Sequence, residues 1–92
     1  MYNKIDPQVK KKWTNALRSS DYKQCRGQLS QFMKNEFCCL GVLYNHVATN
    51  DEYYSMFGDQ KQRDETMMEI IRLNDFDKKS FPEIADWIDK NL

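Results

Sequence analysis

Phe37-Cys38-Cys39-Leu40-Gly41-Val42-Leu43 is the densest apolar stretch of the chain, and Tyr44, His46, Val47 and Ala48 follow it. Leu40, Leu43 and Val47 keep the spacing of one helix face. The pattern predicts a buried helix over residues 39–48, at the centre of the core. Small Cys39 and Gly41 let another backbone come close to it. Upstream, residues 22–31 alternate in part: Tyr22, Gln24, Arg26, Gln28 and Ser30 face one way, Cys25 and Leu29 the other. Gly27 between them marks a bulge or a close approach. Lys34-Asn35-Glu36 can turn the chain, and Phe37-Cys38 then returns as a second strand of a hairpin.

Further out, Asp6 is an N-cap and Pro7 suits the first helical position. Val9, Trp13, Ala16 and Leu17 then form one apolar stripe, which predicts a helix over residues 6–20. Ser19-Ser20-Asp21 stops it. Residues 49–62 are polar with scattered aromatics and carry no clear period. Met67, Met68, Ile70, Ile71 and Leu73 predict a helix over residues 64–73, followed by a polar loop through Asp77-Lys78-Lys79. Ser80 and Glu83 make a capping box for a last helix, with Ile84, Ala85, Trp87 and Ile88 turned inward. The expected fold is a single compact α+β domain over residues 1–92, with about four helices and one short β-hairpin. Its expected core is Trp13, Leu17, Leu40, Leu43, Ile71, Ile84, Trp87 and Ile88.

The 92 residues carry 14 basic and 14 acidic side chains, for a net charge of zero. This argues against a DNA mimic and against a basic coat for nucleic acid, so nucleic acid is not an expected partner. No run of apolar residues is long enough for a membrane span, and the N-terminus lacks a signal-peptide pattern. Three cysteines, two of them adjacent, suit a reducing cytosol. The charge is uneven: residues 1–46 hold eight basic side chains against three acidic, and residues 47–92 hold six against eleven. Such asymmetry suits a basic binding face or a head-to-tail contact between copies; the plainer alternative is attraction between two halves of one domain. A chain this small also has reason to form a homo-oligomer.

Candidate chemistry is sparse. Cys25, Cys38, Cys39 and His46 lack the paired spacing of a zinc site, so no metal is expected and the cysteines read as small apolar residues. Cys39 and His46 sit two helical turns apart, beyond hydrogen-bond reach, so no catalytic residues are assigned and no enzyme is expected. Asn74 and Asp75, with Lys78 and Lys79, precede a helix start that suits an anion; the alternative is a loop whose side chains cap local backbone groups. Lys23 and Arg26, near Tyr22, form a basic-aromatic face suited to phosphate, or else an ordinary solvated strand. Lys23, Arg26, Asn74 and Asp75 are therefore the candidate ligand-binding residues, for a small anionic nucleotide-type ligand, with no cofactor implied. Ser80–Ile88 is similar to the first helix of a helix-turn-helix, but Leu92 leaves no room for a recognition helix.

Several segments occur together in order: Trp13-x-x-Ala16-Leu17-Arg18-Ser19-x-x-Tyr22-x-Gln24-x-Arg26-Gly27-x-Leu29, Phe37-Cys38-Cys39-Leu40-Gly41-Val42-Leu43, Leu73-Asn74-Asp75, and Ser80-Phe81-x-Glu83-Ile84-Ala85-Asp86-Trp87-Ile88. Together they resemble a family of small uncharacterised proteins of tailed bacteriophages and prophages. The resemblance covers about two thirds of the chain and leaves residues 49–64 uninformed. Ser20 stands where that family usually has Gly, and Asp77-Lys78-Lys79 makes a longer loop than its usual Gly-containing one. The resemblance implies expression in a host bacterial cytoplasm and carries no established activity. Its gene context leads to the expectation of an accessory protein that binds and modulates or inhibits a host or anti-phage defence protein. The alternative expectation is a protein that sequesters a small anionic nucleotide.

Overall fold

The structure, a computed structural model, describes residues 4–19, 21–26, 30–31 and 36–92. Gly27, Leu29, Lys34 and Asn35, on which the expected bulge and turn rest, lie outside the described residues, as does Ser20.

The first helix, α1 (Pro7–Arg18), begins as its caps predict: the Asp6 carboxylate accepts from Gln8 N at 2.7 Å and from Val9 N at 3.4 Å. Val9, Trp13 and Leu17 are buried along one stripe. Ser19 ends the helix by donating its hydroxyl to Ala16 O and accepting from Asp21 N. The next segment yields strands β1 (Lys23–Gln24) and β2 (Ser30–Gln31), and both pair with β3 (Glu36–Phe37) in the order β1-β3-β2. β2 and β3 form the expected antiparallel pair, with Ser30 opposite Phe37. β1 runs parallel to β3, with Gln24 opposite Phe37. The alternation over residues 22–31 is thus shared between two strands on opposite sides of the returning one.

Cys38 caps the next helix, its sulfur accepting from Gly41 N. That helix, α2 (Cys39–Val42), continues as a wider π-helical turn over Leu43–Val47. The Trp13 indole N–H donates to Cys39 O at 2.9 Å and pins α1 to α2. Buried Cys39 and Gly41 keep bulk small where α2 lies against α1 and α4. Residues 49–62, which carry no period, form a helix, α3 (Asn50–Ser55), and the start of α4 (Gln60–Ile71). Each starts with a capping box, Thr49 with Glu52 and Asp59 with Gln62.

α4 starts four residues earlier than its apolar period predicts and ends later, in a π-helical turn over Arg72–Phe76. The polar loop expected after Leu73 is therefore still helical through Phe76. The inward face of α4 is Thr66, Ile70, Leu73 and Asn74. This corrects one expected core position: Ile71 is 39% exposed, while its neighbour Ile70 is fully buried. Adjacent positions on a helix lie about 100° apart, so only one of the two isoleucines can face inward. Trp87, also expected in the core, packs against it half-buried.

The last helix, α5 (Phe81–Asn91), carries the predicted Ser80–Glu83 box and buries Phe81, Ile84, Ala85 and Ile88. It packs along α1, and Ile5 N donates to Leu92 O, joining the two ends. Arg18 reaches Asp86 at 2.8 Å and Asp89 at 2.7 Å. A basic side chain of the first half thus meets two acids of the second, so attraction within one domain accounts for part of the charge asymmetry. The core centres on Trp13, with Phe57 edge-on to it at 6.2 Å.

Candidate functional site

Asn74 is the most deeply buried polar side chain among the candidate ligand-binding residues. Burying an amide requires partners for its donors and acceptor. Its Nδ2 donates to Cys25 O at 2.9 Å and to the Asp75 carboxylate at 2.8 Å. Its Oδ1 accepts from Gln24 Nε2 at 2.8 Å, and Gln24 also donates to Lys79 O. The Asn74 backbone carbonyl, near the helix end, accepts from Arg26 Nε at 2.9 Å. Arg26, Asn74 and Asp75 therefore do converge, 48 residues apart in sequence across the Arg26–Asn74 bond. They converge as a junction that fastens the β1 edge to the π-helical end of α4. The Asn74 amide is committed to that junction, so among the converging candidate residues Arg26 is the cation left to meet an anion. Lys23 alternates away from Gln24 and Arg26 on β1 and is exposed, so it does not join them.

The helix start expected to hold an anion is also occupied by the chain itself. Ser80 N donates to the Glu83 carboxylate, and Glu83 N donates to Ser80 Oγ. The Ser80 N–H and hydroxyl hold the Glu83 carboxyl below its ordinary range. Lys79 lies 3.9 Å from that same carboxylate. Lys78 takes a left-handed backbone, φ 54°, as the chain leaves α4.

Cys25, Cys38 and Cys39 are thiols outside any disulfide, and all three are buried. Burial pushes all three upward in pKa, Cys39 the furthest. That is opposite to the shift that makes a thiol nucleophilic. Among the described residues no group of three or more His, Cys, Asp or Glu side chains is placed to hold a metal ion. His46 is exposed and stacks on Tyr22 at 4.6 Å, with Phe37 edge-on at 4.8 Å.

Two surfaces were not singled out by the sequence. One is an open groove of about 510 Å³ between α1 and the end of α2, lined by Lys12, Asn15, Asp21, Tyr22, His46 and Val47 among others. The helical spacing of Lys12, Asn15 and Ser19, followed by Tyr22, is its signal in the sequence. The other is a ridge along α4 formed by Met68, 71% exposed, Ile71, and Phe76, 77% exposed. Ile71 and Phe76 are five residues apart across the π-helical segment, a little more than one of its wide turns, so Phe76 returns to the side of the helix that carries Met68 and Ile71. Beside Met68 a depression of about 440 Å³ is lined by Gln60, Lys61, Asp64 and Glu65. Phe76 between Asp75 and Asp77 was its sequence signal: a large ring within a polar segment. No helix among the described residues is long and apolar enough to cross a membrane.

These features define a small α+β domain with a sealed amide junction, a polar groove and an apolar ridge. The family described as Domain of unknown function (DUF8296) matches residues 5–66, and the chain belongs to that family. No curated protein and no solved structure matches it significantly. The matched region spans α1, the sheet, α2, α3 and the first half of α4. Asn74, all three ridge residues (Met68, Ile71 and Phe76) and α5 lie beyond it.

Proposed function

We propose that the protein is a non-enzymatic accessory protein of a tailed bacteriophage that acts in the host bacterial cytoplasm. It binds a host or anti-phage defence protein and alters its activity. The observation that supports this reading is the α4 ridge. Nearly every other large apolar side chain among the described residues is buried or packed against the core, yet Met68 and Phe76 stand in water. Exposed apolar groups grouped on one face mark surfaces of association. The raised thiols and the polar, open concavities support binding over covalent catalysis.

Capture from bacterial lysate on the immobilised protein tests this, with a Met68→Ser/Phe76→Ser variant as the control. The expected result is one host protein retained by the wild type and lost by the variant, whose circular dichroism stays unchanged. Equal capture by both forms, or no specific capture, contradicts the reading.

A second reading is favoured by a different observation. In the Lys12–His46 groove a cation, a stacked aromatic pair and the Asn15 amide surround a concave space of ligand size. If the protein sequesters a small anionic nucleotide, this groove suits it better than Arg26 and Asn74. A thermal-shift screen with mononucleotides tests it: a shift abolished by Lys12→Ala supports the groove, and no shift with any nucleotide removes it.

A further inference from the structure

The function proposed above makes no use of Cys25 and Cys38, yet the sheet sets them side by side. The parallel ladder of β1 and β3 pairs Lys23 with Glu36 and Gln24 with Phe37. One step on, the same register brings Cys25 opposite Cys38. The bond from Cys25 N to Phe37 O, at 2.8 Å, carries the ladder to that step, and Cys38 keeps an extended backbone, φ −80° and ψ 173°. Residues paired across a sheet leave it on the same side, with the strands about 4.8 Å apart. A disulfide needs Cα atoms about 4.4–6.8 Å apart, so this pair falls inside the range. Cys38 and Cys39 fall outside it, because neighbouring Cα atoms are about 3.8 Å apart. Burial raises the Cys38 thiol, and negative charge on Cys25 raises it further, so the two sulfurs lie within electrostatic reach of each other.

From this placement we infer that Cys25 and Cys38 form an oxidation site, where hydrogen peroxide joins them in one intramolecular disulfide that clasps β1 to β3. One thiolate attacks a peroxide oxygen, the O–O bond breaks, hydroxide leaves, and the sulfur becomes a sulfenic acid. The second thiolate attacks that sulfur, the S–O bond breaks, and a second hydroxide leaves. The two thiol protons turn both hydroxides into water. Two thiols and one peroxide thus give one disulfide and two waters. Burial keeps both sulfurs mostly protonated, so the clasp closes under sustained oxidant rather than in a brief pulse. Both residues are nearly closed to solvent, 5% and 7% exposed, which favours a bond within one molecule over a bond between two. The clasp lies beside the amide junction, where Asn74 holds Cys25 O. Oxidation therefore ties β1 covalently to β3 while the junction holds it to the end of α4.

Peroxide treatment of the reduced protein, followed by mass mapping without reductant, tests this. Trypsin cuts after Lys23, Arg26 and Lys34, so Cys25 lies in residues 24–26, and Cys38 and Cys39 lie in residues 35–61. The expected product is a monomer lighter by two hydrogen atoms, with those two peptides joined. Cys39→Ala should keep the joined pair, and Cys25→Ala and Cys38→Ala should lose it. The oxidised wild type should keep its circular dichroism and melt roughly 10 °C above the reduced form, a gain that dithiothreitol reverses. Two hydrogens lost within residues 35–61 alone, a disulfide between two molecules, added oxygen without a joined pair, no reaction, or a lower melting temperature after oxidation overturns the inference. The wild-type map decides the matter even where a variant fails to fold.

Discussion

Asn74 employs both amide hydrogens and its amide oxygen within the protein, on Cys25, Asp75 and Gln24. Replacing it by alanine leaves the Cys25 carbonyl and the Gln24 amide with fewer partners beside a void. Asn74→Ala is therefore expected to cost about 3 kcal/mol in chemical denaturation. A loss below roughly 1 kcal/mol would show that the junction is not what fastens β1 to α4. Lys78 offers the opposite case. Its φ of 54° lies in the left-handed region, where a side chain is strained and glycine is not. Lys78→Gly is expected to raise stability by about 0.5–1 kcal/mol, read as a higher denaturation midpoint. The role of Asn74 was legible only as one of two alternatives. Leu73-Asn74-Asp75 suggests either an anion site or a local cap, and the partner that decides between them lies 49 residues away in sequence.

At the scale of elements, caps and strong apolar stripes were readable. α1 and α5 start and face as their Asp6-Pro7 and Ser80-x-x-Glu83 signals predict. α3 escaped because six residues are too few to show an apolar period, although Thr49-x-x-Glu52 announces its start. α4 was misplaced in rotation, because Met67, Met68, Ile70, Ile71 and Leu73 are apolar on more than one side and the period does not choose among them. The buried Thr66, its hydroxyl donating to Gln62 O, marks the inward face better than the methionines do. Alanine substitution checks this orientation. Ile70→Ala is expected to cost about 3 kcal/mol and Ile71→Ala less than about 1 kcal/mol. Equal costs would place both side chains in the core. The π-helical turns have no sequence signal that we can name, since a single extra residue per turn leaves composition unchanged.

For the whole molecule, the buried ionisable groups set the alkaline limit. Burial pushes Tyr53 up to about 12 and raises all three thiols, so each is held neutral by folding. A group whose folded pKa lies above its unfolded one stabilises fully below the unfolded value and loses that contribution as pH rises. Stability is therefore expected to fall from about pH 9, where unfolded thiols ionise, and further from about 10 to 12 for Tyr53. Denaturation midpoints across pH 7 to 11 measure it, and Tyr53→Phe should flatten the upper part of the decline. An unchanged slope in that variant would assign the loss elsewhere. The same interior that hides these groups absorbs most of the apolar side chains. Among the described residues, Met68, Ile71 and Phe76 on the ridge and Tyr54 on α3 are the large apolar side chains that the interior leaves out.

Whether that ridge is the working surface is decided most directly by mapping amide chemical shifts of the protein in complex with a partner retained from bacterial lysate, the partner that the proposed function requires. The account predicts shifts over residues 64–77 and none beyond the general line broadening of a larger complex in the Lys12–His46 groove. Shifts concentrated in the groove, with α4 unperturbed, would contradict it.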